Sequence, residues 1–313
     1  MDSVVDHLDV PFPNGVEVER VATGATWAEG PLWIPGENVL RYSDVPADRI
    51  LQFDPATGEH VVWKRGVEYV NGRAHHPDLG VVQCCQGRRA LEKAPLVPFT
   101  EAEVLIDAFE GSRLNSPNDV ATHPVDHTIW FTDPPYGILS ENEGHAGEME
   151  YGRSYVFRLD HHGDLTAVIT ELSRPNGIAF SPDARRLYVT NTAENPLDPA
   201  HDAPESLTDA AGRHHIWAFD LDADYALVRG SGRPFAAPRA GVPDGIAVDQ
   251  EGRVFSSGAD GITVVAADGT DVAFIPVPEV VSNLCFGGTD GHDLYITATT
   301  SLYRVRTTTR AAW

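Results

Sequence analysis

The chain has 313 residues, a formal net charge of −23 and a hydrophobic fraction of 42%. So negative a charge argues against binding to nucleic acids or to an anionic membrane surface. The apolar content is sufficient for a large core, which argues against wholesale disorder. No window of the sequence approaches the ~18 apolar residues that a membrane span needs.

The first seven residues contain neither a basic nor an apolar region, and they therefore lack the features of a secretory signal peptide. The three cysteines, Cys84, Cys85 and Cys285, are odd in number and include one adjacent pair, which does not suit a disulfide framework. We expect free, buried thiols in a reducing compartment. These features favour a soluble, cytoplasmic protein.

In chain order, a strand candidate at residues 16–21 is followed by six copies of one short pattern. Each copy has a polar residue, usually a glycine after it, a few apolar residues, a turn and a second apolar run. Each copy therefore predicts two short strands joined by a turn. The residues that open the copies are Glu29, Asn71, Asn118, Asn176, Asp244 and Asn283.

The copies begin 39 to 68 residues apart, and a four-stranded propeller blade takes ~40–50 residues. Further apolar runs, such as residues 49–53, 154–159, 215–219 and 301–305, supply more strands. We therefore predict an all-β fold, a six-bladed β-propeller formed by residues 1–313 as a single domain. The last copy has only three strand candidates, so we expect residues 16–21 to complete the sixth blade and close the ring.

Two blades are longer than the repeat requires, because they contain insertions at residues 139–148 and 193–213. Long loops on a compact scaffold are often lids or binding loops. A plain surface excursion is an equal alternative for each of the two segments.

Equivalent positions of a radial repeat lie on one ring, so the six opening residues are predicted to point into the central channel. Two carboxylates and four amides would be costly to bury there without partners, and a hard divalent cation would neutralise them. All-oxygen ligands favour Ca²⁺, with Mg²⁺, Mn²⁺ and Zn²⁺ as alternatives, although a ring without His or Cys suits zinc poorly. The other interpretation is a hydrated channel whose Asn and Asp are only turn residues.

Five segments resemble the senescence marker protein/gluconolactonase/luciferin-regenerating enzyme family, and the resemblance covers nearly the whole chain. They are residues 28–33 (AEGPLW), 114–120 (LNSPNDV), 130–137 (WFTDPPYG), 174–183 (RPNGIAFSPD) and 243–249 (PDGIAVD). The second and third resemble the gluconolactonase branch most. This resemblance implies a six-bladed propeller with one catalytic divalent metal ion.

By the same resemblance, Glu29, Asn176 and Asp244 would be the protein ligands of the metal, and Asp244 would also be the catalytic carboxylate. Asn118 would be a further ligand or a substrate contact. Asn71 is a candidate for the same role, although its surroundings are a looser match to the family pattern.

The resemblance predicts a metal-dependent hydrolase that opens sugar lactones to aldonic acids. The cation would act as a Lewis acid and Asp244 as the general base. Tyr136 could border the pocket or be a packed loop tyrosine. The animal branch has an arginine where this chain has Ser116, so the lactone hydroxyls must be recognised differently here.

The sequence is compatible with two other functions. A related metal-dependent hydrolase, similar to the diisopropyl-fluorophosphatase-like enzymes, would cleave phosphorus–fluorine bonds on the same scaffold. A non-enzymatic propeller would be a protein-binding platform with a structural metal. The expected partner is a small-molecule lactone, and which lactone it is does not follow from the sequence.

Overall fold

The structure is a computed structural model that describes residues 11–13, 17–95, 97–192 and 214–313. The predicted insertion at residues 193–213 therefore lies outside the described residues. Six four-stranded antiparallel sheets follow one another along the chain, and they match the six copies of the sequence pattern.

The strand bounds follow the repeat closely. After β1 (Glu19–Thr23), blade one contains β2 (Ala28–Ile34), β3 (Val39–Asp44), β4 (Arg49–Phe53) and β5 (His60–Arg65). Blade two contains β6 (Val70–His76), β7 (Gly80–Cys85), β8 (Ala90–Lys93) and β9 (Glu103–Ile106). A small hairpin, β10 (Ala108–Phe109) and β11 (Ser112–Arg113), precedes blade three.

Blade three contains β12 (Val120–Thr122), β13 (Ile129–Asp133), β14 (Tyr155–Leu159) and β15 (Leu165–Ile169), with the short helix α1 (Tyr136–Leu139) between β13 and β14. Blade four contains β16 (Pro175–Phe180), β17 (Arg186–Asn191), β18 (Ile216–Asp220) and β19 (Arg233–Ala236). Blade five contains β20 (Ile246–Val248), β21 (Val254–Ser257), β22 (Gly261–Val265) and β23 (Asp271–Pro276). The last repeat supplies β24 (Val281–Gly287), β25 (Asp293–Ala298) and β26 (Ser301–Arg306).

The first strand of each blade lies at the centre of the molecule. β2 contacts β6 and β24, β12 contacts β6 and β16, and β20 contacts β16 and β24. These contacts form a closed cycle, which is the geometry of a six-bladed propeller. The predicted six-bladed β-propeller is confirmed.

The N-terminal strand closes the ring, as predicted. β1 pairs antiparallel with β26, with Glu19 opposite Arg304 and Thr23 opposite Ser301, and it is the outer strand of blade six. The strand begins and ends slightly later than the predicted residues 16–21. The C-terminal tail is also held, because the backbone N–H of Ala312 donates to the carbonyl of Val248 at 2.9 Å.

Apolar side chains fill the spaces between neighbouring blades. Trp33 of blade one stacks on Tyr295 of blade six at 5.8 Å between ring centres. Trp130 of blade three meets Phe180 of blade four edge to face at 5.7 Å. Because a blade is covered on both faces, its second strand is buried along its length, as in β3 and β13.

The cysteines are free thiols, as predicted, with Cys84 and Cys85 buried and Cys285 partly buried. In the part of the chain that the structure describes, no helix has the length and apolar character needed to cross a membrane.

Candidate active site

The six ring positions lie where the innermost strands begin. Asn118 and Asp244 come two residues before β12 and β20, and the other four positions lie inside their strands. Asp244 is half-buried. The other five are buried and between 5% and 7% exposed: Glu29, Asn71, Asn118, Asn176 and Asn283.

The backbone bulges at the ring position in four blades. The strand register breaks after Glu29, around Asn71 and Asn176, and just before Asn283. A bulge bends the strand locally and changes the direction of a side chain. Polar side chains can therefore converge on the channel although the strands that carry them are otherwise buried and apolar.

A hydroxyl on the second strand of one blade holds the ring position of the next blade. Ser43 donates to the carbonyl oxygen of Asn71 at 3.0 Å, and Thr132 donates to that of Asn176 at 2.7 Å. Thr190 donates in the same way to Asp244 at 2.6 Å. The spacing of the ring is thus set by contacts between blades.

The residue after each of these hydroxyls fixes the loop that leads into its own blade. Asp44 accepts backbone N–H bonds from Thr26 and Trp27 at 2.8 and 3.1 Å. Asp133 accepts them from Asn115 and Ser116, both at 2.8 Å, and Asn191 accepts one from Arg174 at 2.9 Å. Sequence reasoning missed this Ser/Thr–Asp/Asn pair, although it recurs at the end of β3, β13 and β17.

A glycine after the ring residue allows the innermost strands to approach closely. A Cβ on Gly245 would lie 2.2 Å from Oδ1 of Asn283. A Cβ on Gly30 would lie 2.1 Å from the carbonyl oxygen of Asn71, and Gly30 has a φ of +46°. Any larger residue at these two positions would collide with the neighbouring blade.

Three carboxylates share this buried centre. Desolvation raises the pKa of Glu29 and of Asp244, and the two carboxylates repel each other. Desolvation also raises the pKa of Asp119 to about 6. The negative charge of Asp119 raises the pKa values of Glu29 and Asp244 further. Asp119 stands where most copies have glycine, a departure that could have revealed it from the sequence.

Two ring amides contact these carboxylates. The amide side chain of Asn176 acts on Asp244 and lowers its pKa, and that of Asn283 acts in the same way on Glu29 and Asp119. Glu29, Asn176 and Asp244, the three predicted metal ligands, are therefore brought to one place. Asn71 and Asn118 occupy the equivalent positions of blades two and three, where the carbonyl oxygen of Asn118 accepts from the N–H of Gly72 at 2.8 Å.

The donor chemistry of this centre fits a hard divalent cation. Among the described residues, the ion pairs involve other carboxylates and leave the charges of Glu29, Asp119 and Asp244 without a basic partner. The described chain also contains no group of three His, Cys, Asp or Glu side chains that could hold a metal. Amide oxygens would therefore have to complete the ligand set, which suits Ca²⁺ or Mg²⁺ better than Zn²⁺.

Tyr136, at the start of α1, faces the same centre. Its hydroxyl is buried and makes no hydrogen bond of normal geometry to a described residue, although the side chain of Thr192 lies near enough to act on it. Desolvation and the charge of Asp244 raise the pKa of this hydroxyl. A polar group placed in this way is available to a bound ligand.

Ser116 has a structural role. It is completely buried, its hydroxyl donates to the carbonyl oxygen of Pro134 at 2.6 Å, and it accepts from the N–H of Gly137 at 2.9 Å. These bonds fix the beginning of α1 and thereby the position of Tyr136. At the position where the animal branch has an arginine, this chain therefore has a serine that supports Tyr136.

A cavity of about 680 Å³ lies in the channel beyond the ring. Its walls are the later residues of the innermost strands, such as Leu32, Phe180 and Val248, and it reaches Asp119 and Asn283. The channel beyond the ring is therefore more apolar, and Asp119 and Asn283 lie at the end of the cavity that meets the ring.

Comparison with known proteins gives consistent matches over most of the chain. The family model for the SMP-30/Gluconolactonase/LRE-like region matches residues 27–300. A gluconolactonase from Zymomonas mobilis is 34% identical, and the match covers 96% of this chain and 83% of that protein. The pentonolactonase XacC of Haloferax volcanii is 29% identical, over 88% of this chain and 83% of that protein.

A solved structure shares the whole architecture. A gluconolactonase from Xanthomonas campestris superimposes with a TM-score of 0.84 and is 31% identical, with coverage of 98% of this chain and 95% of that chain.

Proposed function

Because this chain belongs to the SMP-30/gluconolactonase/LRE-like family, we propose that it is a lactonase that opens sugar lactones to aldonic acids. The observation that carries the proposal is the convergence of Glu29, Asn176 and Asp244 on one buried centre, with the buried hydroxyl of Tyr136 beside it. The names of the relatives favour aldonolactones of five or six carbons as substrates.

Glu29, Asp244 and the amide oxygen of Asn176 would hold a divalent cation, with Ca²⁺ favoured and Asn118 as a further ligand or substrate contact. When bound, such a cation supplies Lewis-acid polarisation of the lactone carbonyl and lowers the pKa of bound water. Its charge would also offset the desolvation and the repulsion that raise the pKa of both carboxylates.

Asp244 acts as the general base in this proposal. It is the less buried residue of the two ring carboxylates, which suits a group that takes a proton from an attacking water. Its backbone is fixed by Thr190 and its carboxylate is oriented by the Asn176 amide. Such positioning is what general-base catalysis needs, because the base must lie within hydrogen-bond reach of the proton it abstracts.

In this proposal, Tyr136 and Asn118 contact the substrate. The Tyr136 hydroxyl lies beside Asp244 and can donate to an oxygen of the lactone or of the tetrahedral intermediate. The alternatives, a phosphorus–fluorine hydrolase and a binding platform, gain no comparable support from the relatives.

The test is hydrolysis of glucono-1,5-lactone and of a pentonolactone after treatment with EDTA, followed by addition of Ca²⁺, Mg²⁺, Mn²⁺ or Zn²⁺ one at a time. The proposal predicts that activity is lost on chelation and restored best by Ca²⁺. Full activity in EDTA would contradict the metal requirement, and no hydrolysis of either lactone with any cation would contradict the lactonase assignment.

A further inference from the structure

The segment at residues 139–148 is folded back onto α1. The N–H of Gly147 donates to the carbonyl oxygen of Ile138 at 3.0 Å, and the N–H of Glu143 donates to that of Ser140 at 3.3 Å. A Cβ on Gly144 would lie only 2.2 Å from the carbonyl oxygen of Gly137. The segment therefore packs directly against the helix that carries Tyr136.

Blade two holds the other side of this segment. The Nε2 atom of His145 lies 2.9 Å from a carboxylate oxygen of Glu68, and the two ring planes of His145 and Tyr69 meet edge to face at 5.4 Å. Arg89 donates to the carbonyl oxygen of Glu148 at 3.1 Å. The segment is thus anchored in blades two and three, next to the ring position Asn71.

This anchoring holds Glu143 beside α1, one residue before Gly144, which packs on Gly137. Its side chain is partly buried, and its carboxylate acts electrostatically on both Asp244 and the Tyr136 hydroxyl. Arg174, at the entrance to β16, also acts on that hydroxyl. Glu143 is therefore the acidic group of the insertion that belongs to the same cluster as the proposed base.

We propose that Glu143 is a specificity-determining residue that accepts hydrogen bonds from the hydroxyls of a neutral lactone and excludes lactones that carry a negative charge. The inference rests on the proposed lactonase function and narrows its substrate class. A carboxylate is an acceptor for hydroxyl donors. It repels an anionic substituent, and more strongly where burial lowers the local dielectric.

The test compares two lactones with the same ring, glucono-1,5-lactone and its 6-phosphorylated form, at pH 7.5 with the activating cation present. The test variant is Glu143→Gln, which keeps the size of the side chain. The matched control is Glu141→Gln, because Glu141 is an exposed residue of the same segment. Thermal unfolding of each variant shows whether the fold is retained.

In Glu143→Gln, we expect kcat/KM for the phosphorylated lactone, relative to the neutral one, to rise by about tenfold, since one repulsive charge is removed. KM for the neutral lactone should rise severalfold with little change in kcat. Glu141→Gln should behave like the wild type. In the wild type the same ratio should rise with salt, because salt screens the repulsion.

The outcomes distinguish a failure of the inference about Glu143 from a failure of the proposed lactonase function. An unchanged ratio in a folded Glu143→Gln protein that still hydrolyses the neutral lactone would overturn the inference and leave the lactonase assignment intact. An equal rise in Glu141→Gln would also overturn it, since the effect would then come from net charge. Failure of the wild type to hydrolyse either lactone would overturn the proposed function and the inference together.

Discussion

The hydroxyl of Thr190 donates a hydrogen bond of 2.6 Å to the carbonyl oxygen of Asp244. Thr190 lies on the second strand of blade four, and Asp244 is the ring carboxylate of blade five. The same hydroxyl accepts from the N–H of Gly177 at 2.7 Å. One side chain therefore joins two blades at the residue to which we assign the chemistry.

Replacement of Thr190 by valine should weaken both stability and catalysis. The change removes one donor and one acceptor from a buried site, and the loss of a buried hydrogen-bond partner costs about 1–3 kcal/mol. We expect the free energy of unfolding to fall by that amount and kcat to fall as Asp244 loses its support. The measurements are urea unfolding and lactone turnover.

Thr190→Ser is the matched control, because it keeps the hydroxyl. It should retain most of the stability and turnover of the wild type. Equal losses in the serine and valine variants would show that the hydrogen bond of the hydroxyl is not what supports Asp244.

The carboxylate centre predicts that the metal-free protein becomes less stable as pH rises. Asp119 has its pKa raised from 3.8 to about 6, and the pKa values of Glu29 and Asp244 are also raised. A folded state with raised carboxyl pKa values binds more protons than the unfolded state. The contribution of these groups to the free energy of unfolding is therefore largest below about pH 4, and it is lost as the pH rises through their raised pKa values. In EDTA, this centre should therefore lower the melting temperature of the protein as the pH rises from 4 to 7.

Calcium should reverse this trend, because it binds the ionised carboxylates and its affinity rises with pH. The increase in melting temperature on adding Ca²⁺ should therefore be larger at pH 7 than at pH 5. An increase that is the same at both pH values would place any calcium binding away from Glu29 and Asp244.

The close approach of the innermost strands can be tested at Gly245. A Cβ there would lie 2.2 Å from Asn283 Oδ1 and 2.7 Å from its Cα, so Gly245→Ala should destabilise the protein by about 1–3 kcal/mol, as overpacking typically does. Gly36→Ala is the control, since a Cβ on Gly36 meets nothing within 4 Å. Similar unfolding midpoints for the two variants would contradict the described packing at the ring.

The blades and their closure could be predicted because one polar position recurs at blade spacing, and equivalent positions of a repeat occupy equivalent places in the fold. The roles of Thr132 and Thr190 could not be predicted in this way, because each hydroxyl finds its partner in the next blade, more than 40 residues away along the chain. The position of Glu143 was equally inaccessible, since the insertion has no counterpart in the other copies. Its path depends on tertiary contacts such as that between His145 and Glu68.

The most direct test of Asp244 as the catalytic base is the turnover of glucono-1,5-lactone by Asp244→Asn with saturating Ca²⁺. Loss of a general base and a ligand carboxylate predicts a fall in kcat/KM of at least about 10²-fold. The metal-free variant should be as stable as the wild type or more stable, because the repulsion between residue 244 and Glu29 is relieved. A folded Asp244→Asn protein with wild-type turnover would contradict the assignment of this carboxylate as the catalytic base.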